Sequence, residues 1–277
     1  MQRGDEQQPA GNRGDSSSEP LEPGSVELEF GVPFAGVILP PEQWAKTALK
    51  RLPQQGRLDF VELFGRDAPR VLDIGCGNGR FLLASATRRP ETDHIGIDVL
   101  PMVIRYATRR ANQRGLSNCR WAACDGDRFL RDLCPPGQLS EIHVYHPQPF
   151  SQPGETNARL FNREFVWLVH QALAPGGRLF VQTDNSAYWK YLQTVLSAVM
   201  HWQEQAGAWP EDPQGRTRRE IVALNKGLTI FRGWGQRRDD LDEGSFGEIA
   251  DQLPAPNFDA AHVGNPRHWR RPGKGRR

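Results

Sequence analysis

The residues whose types and spacing most favour chemistry form the run Asp-Ile-Gly-Cys-Gly-Asn-Gly at positions 73–79. They follow a short apolar run and precede a helix-like segment that starts at Arg80. A strand, a glycine-rich turn and a helix in this order make the nucleotide-binding end of a Rossmann-type sheet. Glycine lets the backbone turn sharply and approach a ligand without an intervening Cβ atom. The run therefore predicts a site for a nucleotide-containing cofactor.

The spacing of Gly75, Gly77 and Gly79 argues against a dinucleotide. The pattern Gly-x-Gly-x-x-Gly needs a third glycine at position 80, where the chain has Arg80. Asp73 instead stands two residues before the first glycine, which suits a cofactor with no pyrophosphate but with a cationic amino-acid end. S-adenosylmethionine is such a cofactor, and we predict that it binds here. The alternative is an ordinary glycine-rich turn.

Two further acids follow apolar runs at the predicted ends of neighbouring strands. Asp98 is expected to accept both ribose hydroxyl protons, and Asp125 to accept from the adenine amino group, while Asp73 meets the cofactor's amino group. Asp127 is close enough to be confused with Asp125. An acid at a strand end is also a common turn or helix N-cap residue. Three acids in register with the glycine turn favour the cofactor site.

The elements that must position these acids form one predicted α/β domain over residues 40–235. Apolar runs alternate with helical patterns, as a mostly parallel sheet with helices on both faces requires. Residues 40–67 are expected to form a helical lead-in that covers the sheet. The predicted strands are 70–74, 94–98, 120–125, 141–145, 178–183 and 228–232, and the clearest predicted helices are 162–173 and 187–200.

The two ends of the chain differ in composition from this domain. Residues 1–39 are predicted to be a mostly disordered extension, although the apolar segment 30–39 is expected to dock on the domain or on a partner. Residues 236–277 are predicted to be a basic, disordered tail. The net charge is only +2, yet residues 262–277 carry six arginines and lysines, one tryptophan and no acid. Such a tail fits loose contact with nucleic-acid phosphates, or it is solvated without a partner.

Composition also excludes several classes of protein. No apolar stretch has membrane-spanning length, and the N-terminus lacks the apolar core of a signal peptide. The cysteines show no Cys-x-x-Cys pairing and no ligand-spaced histidines, which predicts reduced thiols in a cytoplasmic protein and no metal site. The sequence leaves the oligomeric state open, and a monomer is expected because no long apolar heptad stands out. The four cysteines are Cys76, Cys119, Cys124 and Cys134.

Three later segments occur in a fixed order in the second half of the chain. They are Pro147-Gln148-Pro149-Phe150, Thr183-Asp184-Asn185 with Tyr188, and Thr217-Arg218-Arg219-Glu220. In this order they resemble the markers of bacterial tRNA (guanine-N7)-methyltransferases, which typically read PDPW, TD and T-x-x-E. The resemblance covers about residues 70–232. It implies a Rossmann-like class I methyltransferase fold with a mostly parallel seven-stranded sheet, and methyl transfer from S-adenosylmethionine to N7 of a guanine in a tRNA variable loop.

The resemblance also implies roles for single residues. Cofactor contacts would come from Asp73, Gly75, Gly77, Gly79, Asp98, Asp125 and Gln148, and substrate contacts from Gln152, Asp184, Thr217, Arg218, Arg219 and Glu220. A carboxylate matches the N1–H and N2–H₂ donors of guanine, so Asp184 or Glu220 can select guanine over adenine. The alternatives are a helix N-cap for Asp184 and a surface helix residue for Glu220.

The chain departs from the family pattern in the first marker and just after it. Gln148, the candidate catalytic residue, replaces the acid, and Phe150 replaces the tryptophan. The basic stretch that follows in the family is absent from residues 151–158; Gln152 stands where a substrate-contacting lysine is expected, and only Arg159 remains. Fewer phosphate contacts mean weaker RNA binding. The arginines at 216, 218 and 219 and the basic tail are expected to compensate.

Gln148 need not abolish methyl transfer. Guanine N7 is an unprotonated lone pair at neutral pH, so alignment is the main task, and losing one charged group costs roughly 3 kcal/mol. We therefore expect a slower enzyme. Two alternatives stay open: an S-adenosylmethionine-dependent enzyme that acts on a small molecule or another RNA, and a non-catalytic RNA-binding relative.

Overall fold

The computed structural model describes residues 21–152 and 154–260. A seven-stranded sheet lies at its centre and a two-stranded hairpin precedes it. The strands are β1 (Leu28–Glu29), β2 (Val32–Pro33), β3 (Arg70–Ile74), β4 (Asp93–Asp98), β5 (Cys119–Ala123), β6 (Leu139–Tyr145), β7 (Leu173–Thr183), β8 (Met200–Glu204) and β9 (Phe231–Arg237). The helices are α1 (Phe60–Phe64), α2 (Arg80–Arg88), α3 (Pro101–Gln113), α4 (Gly126–Arg128), α5 (Arg163–Ala172), α6 (Ser186–Val199), α7 (Arg218–Asn225) and α8 (Glu243–Ala250).

The strands of the large sheet lie in the order β5-β4-β3-β6-β7-β9-β8. Strands β3 to β7 pair in parallel, and β9 runs antiparallel to both of its neighbours. Apolar side chains fill both faces of the sheet and form two buried clusters. Such burial on two faces is why the parallel strands read as continuous apolar runs. The predicted fold class, a Rossmann-like and mostly parallel seven-stranded sheet, is confirmed.

The strand order reverses between β3 and β6, and this reversal positions the site. In an open parallel sheet a crevice forms at the carboxyl ends of the strands where the order switches. The turn after β3 holds the glycine run, the residue after β6 is His146, and the residue after β7 is Asp184. The fold therefore brings three separate parts of the sequence to one crevice.

Side chains that start helices fix the segments around this crevice. The Asn185 side chain accepts a hydrogen bond from the Tyr188 amide and caps α6, and the Thr217 hydroxyl accepts from the Glu220 amide and caps α7. Each cap satisfies an amide that the first turn of a helix leaves without a partner. Asn185, and not Asp184, is the N-cap of α6, so the alternative of an N-cap role for Asp184 was wrong.

Both predicted domain boundaries differ from the structure. Phe34 and Ile38 are buried, so the N-terminal segment from residue 21 packs on the domain as the apolar segment 30–39 suggested. On the other side, α8 buries Phe246 against the same core that Phe258 contacts. Residues 236–260 are therefore part of the domain and not a tail, because their aromatic side chains, Phe246 and Phe258, pack against the apolar core. The predictions for residues 1–20 and 261–277 lie outside the described residues.

Two local predictions also fail. Residues 40–67 are mostly irregular, with a 3₁₀ turn at Pro41–Gln43 and one short helix, α1. The prolines at 40, 41 and 53 oppose a continuous helix, and the segment instead bridges to β5 through Ala48 and Trp121. The last strand is Phe231–Arg237 instead of 228–232, and β8 was not predicted. Within the described residues, no helix has both the length and the apolarity to cross a membrane.

Candidate functional site

A cavity of about 320 Å³ opens in the crevice at the carboxyl ends of β3, β6 and β7. The glycine turn and the start of α2 line it from one part of the chain, and α7 lines it from another. Of the predicted site residues, seven line the cavity: Asp73, Gly75, Gly77, Asp184, Thr217, Arg218 and Arg219. Tyr145 and His146, at the end of β6, complete the surface between them.

The glycine turn leaves open space above its backbone. Gly75 and Gly77 have positive φ values of 75° and 54°, and a Cβ atom added to either meets none of the described atoms within 4 Å. A ligand can therefore approach this backbone closely. Gly79 has a different role, because a Cβ there would lie 2.8 Å from the Trp121 ring and 2.9 Å from the Ala107 side chain. It allows α2 to pack on the sheet.

Asp73 places a buried carboxyl group on the wall of this cavity. Burial, and then repulsion from Asp98, raise the pKa of Asp73 to about 8, while Arg216 acts in the opposite direction. A cationic ligand group in the cavity would supply the charge that stabilises the carboxylate. The open glycine turn and this carboxyl therefore fit a cofactor with an ammonium group, as S-adenosylmethionine has.

The other two predicted cofactor acids lie beyond the cavity lining. The two Asp98 oxygens accept from the amides of Gly77 and Leu100, at 3.0 and 2.9 Å. Asp98 thus holds the glycine turn, and its remaining lone pairs can accept ribose hydroxyls. Asp125 is exposed and caps α4. Next to it, Asp127 Oδ1 is buried and has no hydrogen-bond partner among the described residues, so a donor such as an adenine amino group fits here.

A polar cluster holds Asp184 at the cavity wall. His146 Nδ1 lies 3.2 Å from Asp184 Oδ1, and Arg219 donates from Nε and Nη2 to Asp184 Oδ2 at 3.2 and 2.8 Å. The Gln182 amide donates to His146 Nε2, so the ring proton lies on Nδ1 and points at Asp184. Burial alone would raise the pKa of Asp184, but the hydrogen bonds from His146 and Arg219 lower it. Asp184 is therefore a fixed, ionised acceptor.

Glu220 lies beneath this wall and is fully buried. One oxygen accepts from Arg232 Nε at 3.1 Å and Nη2 at 2.5 Å. The other accepts from the Gln182 side chain at 3.0 Å and the Arg216 amide at 2.7 Å. Four donors and complete burial leave the carboxylate no access to a base. The structure thus gives Glu220 an architectural position behind the cavity, and the surface-helix alternative is wrong as well.

Tyr145 connects the cavity to a second buried chain of polar groups. Its hydroxyl accepts from Arg216 Nη1 at 2.6 Å and donates to His143 Nδ1 at 2.7 Å, and His143 Nε2 then meets Glu141 at 3.0 Å. Burial lowers the pKa of His143 to about 4, so its ring is neutral at pH 7. Arg89 closes the chain on Glu141. The chain fixes the Tyr145 hydroxyl, and with it the position of Arg216.

The first family marker stands apart from the cavity lining. Gln148 and Gln152 are both exposed. Arg159, the basic residue that survives from the family's cluster, is buried and donates to the carbonyl oxygens of Pro149, Phe150, Pro256 and Phe258. It ties this loop to the C-terminal segment and offers no free guanidinium to a phosphate. The arginines expected to compensate are ion-paired: Arg216 with Glu211 and Asp212, Arg218 with Glu29, and Arg219 with Asp184.

Sequence reasoning missed two residues that shape the cavity. Glu29, on the β1–β2 hairpin, accepts from Asn78 at 2.8 Å, Arg80 at 3.2 Å and Arg218 at 2.6 Å, and so joins the hairpin to both cavity walls. Its position in a chain end of low apolar content gave no signal. For His146 the sequence did hold a signal, because this residue directly precedes the first marker. In the structure its φ of 52° is unusual for a residue other than glycine.

Comparison with known proteins finds methyltransferases whose sequences are similar to this chain. A family model described as a putative methyltransferase matches residues 67–232. The tRNA (guanine-N(7)-)-methyltransferase of Alkalilimnicola ehrlichii is 32% identical over 199 residues, which cover 71% of this chain and 84% of the relative. That of Alcanivorax borkumensis is 33% identical over 191 residues, 69% of this chain and 79% of the relative.

Solved structures support the fold. The 16S rRNA methyltransferase KamB aligns with a TM-score of 0.51 and 16% identity over 69% of this chain and 98% of its own. A variant of the 16S rRNA (adenine(1408)-N(1))-methyltransferase from Catenulisporales acidiphilia was solved with its cosubstrate SAM. It aligns with a TM-score of 0.50 and 15% identity, over 70% of this chain and 96% of its own. The resemblance predicted from the three sequence markers is confirmed by the relatives. The chain belongs to the bacterial tRNA (guanine-N7)-methyltransferase family.

Proposed function

We propose that this protein transfers a methyl group from S-adenosylmethionine to N7 of a guanine in the variable loop of tRNA. The observation that carries the proposal is one cavity with two chemically different walls. The glycine turn and Asp73 form a wall for a nucleoside with an ammonium group, and Asp184 with α7 forms a wall for a base. The names of the relatives above specify tRNA and N7 of guanine.

The cofactor supplies an electrophilic methyl group on a sulfonium sulfur. Toward it, Asp73 would hold the ammonium group, Asp98 the ribose hydroxyls, and the Asp125–Asp127 turn the adenine amino group. The Gly75 and Gly77 backbone would lie under the ligand, because no side chain of residues 21–152 and 154–260 occupies the space next to these glycines. These residues bind and orient the cofactor, and none of them has to move a proton in the methyl-transfer step.

Asp184 would select the base. Its ionised carboxylate retains one lone pair, on Oδ1, beyond the three that accept from His146 and Arg219, and guanine offers N1–H or N2–H₂ to such an acceptor. Adenine has no donor at N1, so it would leave this lone pair without that hydrogen bond, at a cost of about 1 to 3 kcal/mol. Orientation of N7 toward the methyl group would provide most of the acceleration. Gln148 has no part in this scheme because it does not line the cavity.

The test is methylation of an unmodified tRNA transcript with labelled cofactor, followed by nuclease digestion and nucleoside chromatography. We expect label in 7-methylguanosine, and cleavage mapping would place it in the variable loop. A transcript with adenosine at that position is the matched control and should remain unlabelled. Label in another nucleoside, or tight cofactor binding with no labelled tRNA, would refute the proposed activity.

The second candidate is a small-molecule methyltransferase. It is favoured by residues 151–158, which contain no lysine or arginine, and by Arg159, which binds backbone carbonyls. A small acceptor needs no phosphate anchor. Cofactor turnover without tRNA, in the presence of a purine nucleoside, would support it. We also propose that the protein acts in the cytoplasm as a monomer. The sequence has no long apolar heptad that would favour a coiled-coil dimer; gel filtration tests the monomer.

A further inference from the structure

Two stretches of the chain contain only basic charges. Residues 43–58 hold four lysines and arginines, residues 99–124 hold five arginines, and neither stretch contains an acid. The fold places them side by side, because the amide and hydroxyl of Thr47 bind Asn112 Oδ1 at the end of α3 and the Leu49 amide binds the Trp121 carbonyl on β5. Six of these cations are exposed. Arg57 donates to the Cys134 carbonyl, and we call the other five the basic edge: Lys46, Lys50, Arg51, Arg105 and Arg109.

The cations of the basic edge lack the ion pairs that most arginines of the described residues form. Among the described residues, fifteen other arginines form ion pairs with acids, including Arg216, Arg218 and Arg219 at the cavity. Three other exposed cations of the described residues, Arg178, Lys190 and Lys226, also lack both an ion pair and a side-chain hydrogen bond, but they lie in separate parts of the chain. No ion pair or hydrogen bond within residues 21–152 and 154–260 involves a side chain of the basic edge. The described part of the protein therefore does not neutralise this positive charge, which is available to a polyanion.

Helix α3 continues this surface to the mouth of the cavity. Met102, Arg105, Tyr106 and Arg109 recur at helical spacing, so they share one exposed strip. Tyr106 is 45% exposed, and the Arg109 guanidinium lies 5.9 Å from the centre of its ring. Val103, one residue from Met102, lines the cavity itself. An exposed aromatic ring among unpaired cations is the combination on which an unstacked base and its phosphates bind.

We propose that the basic edge and the α3 strip bind the sugar–phosphate backbone of the tRNA whose guanine enters the cavity, with Tyr106 packed against a base. This inference rests on the proposed function and deepens it. The family's basic stretch after β6 is missing here, and the one arginine that survives from it is buried. The phosphate contacts have therefore moved to the opposite side of the cavity, onto the β5 edge of the sheet.

The test compares two triple variants with the same loss of charge. In the first, Lys50, Arg105 and Arg109 become Gln; in the control, three exposed cations on other faces become Gln, namely Arg131, Arg163 and Lys190. Affinity for an unmodified tRNA transcript is measured over a range of KCl concentrations, together with kcat, KM and the affinity for S-adenosylhomocysteine. The first variant should reduce the slope of log affinity against log salt by about 2, at roughly 0.7 for each phosphate contact.

We further expect this variant to raise KM for tRNA at least about tenfold by lost contacts, with kcat and S-adenosylhomocysteine affinity like those of the control. If the first variant has the same salt slope and the same KM for tRNA as the control, and the wild type forms 7-methylguanosine, the basic edge does not bind tRNA. The proposed function is then unaffected. A wild type that does not methylate tRNA would refute the proposed function. The salt dependence of tRNA affinity would still test whether the basic edge binds tRNA. Loss of self-association with an unchanged tRNA slope would identify a protein interface instead. The single variants Arg105→Gln and Arg109→Gln decide the matter if the triple variant does not fold.

Discussion

Asp73 should couple cofactor binding to the release of a proton. Burial and the neighbouring Asp98 raise the pKa of Asp73 to about 8, so about nine in ten molecules carry a proton there at pH 7. An ammonium group beside it favours the carboxylate, and binding then expels that proton. Affinity should rise by about tenfold per pH unit below pH 8. Above about pH 8 the α-amino group of the ligand loses its own proton, so affinity should fall again.

The same shift sets the stability of the ligand-free protein. The pKa of Asp73 is higher in the folded protein than the ordinary value of 3.8, so the unfolded chain loses its proton first as the pH rises. The free energy of unfolding therefore falls between about pH 4 and pH 8. The ordinary pKa of 3.8 lies 3.2 units below pH 7. At 1.36 kcal/mol per unit, the protonated Asp73 therefore lowers the free energy of unfolding at pH 7 by about 4 kcal/mol. Asp73→Asn removes this loss, so it should stabilise the ligand-free protein by up to about 4 kcal/mol while it weakens cofactor binding.

Calorimetry in two buffers with different ionisation enthalpies measures the released proton directly. The wild type should release about 0.9 proton per bound S-adenosylmethionine at pH 7, and Asp73→Asn should release almost none. Asp67→Asn, which alters an exposed carboxylate, is the control and should behave as the wild type does. Affinity that stays constant from pH 6 to pH 8, or the same proton release from Asp73→Asn, would refute the reasoning.

The remaining predictions concern the polar groups around the cavity. Glu220→Gln should lower the free energy of unfolding in urea by about 3 to 5 kcal/mol, because Arg232 is left buried without its charge partner; a loss under 1 kcal/mol would contradict this. Asp184→Asn should lower kcat/KM for tRNA by roughly 5- to 150-fold with unchanged S-adenosylhomocysteine affinity, and equal losses of both would argue against a base contact. Gln148→Asp should change kcat by less than about fivefold, as expected for an exposed charge, and a tenfold gain would place this side chain near the reaction. Arg159→Lys should lower the melting temperature, since one ammonium cannot satisfy four carbonyl groups.

The sequence predicted the centre of the fold well because its strands are buried on both faces. Strand β3 begins and ends at the predicted residues, and its five residues are all buried. The glycine turn was equally visible, since positive φ values restrict the choice of residue. The membership of the family followed from the order of three short markers, each weak alone.

The parts that sequence could not predict depend on contacts between distant residues. Glu220 has the type and spacing of a substrate ligand, and only the positions of Arg232 and Gln182 reveal that its oxygens are used inside the protein. Strand β8 has only two apolar residues among five and is defined by its pairing with β9. Segment 40–67 has no periodic hydrophobic pattern, and its path is set by its pairing beside β5, where Ala48 bridges to Trp121.

The three bonds of Glu29 constrain when the protein can become functional during synthesis. Its partners lie 49, 51 and 189 positions away along the chain, so the carboxylate leaves the ribosome long before the helix that it must meet. A domain assembles only as its parts emerge. A nascent chain can thus shape the turn after β3 early, yet it cannot enclose a ligand until nearly the whole domain has been translated. Premature termination before α7 would leave a Rossmann core with an unfinished pocket.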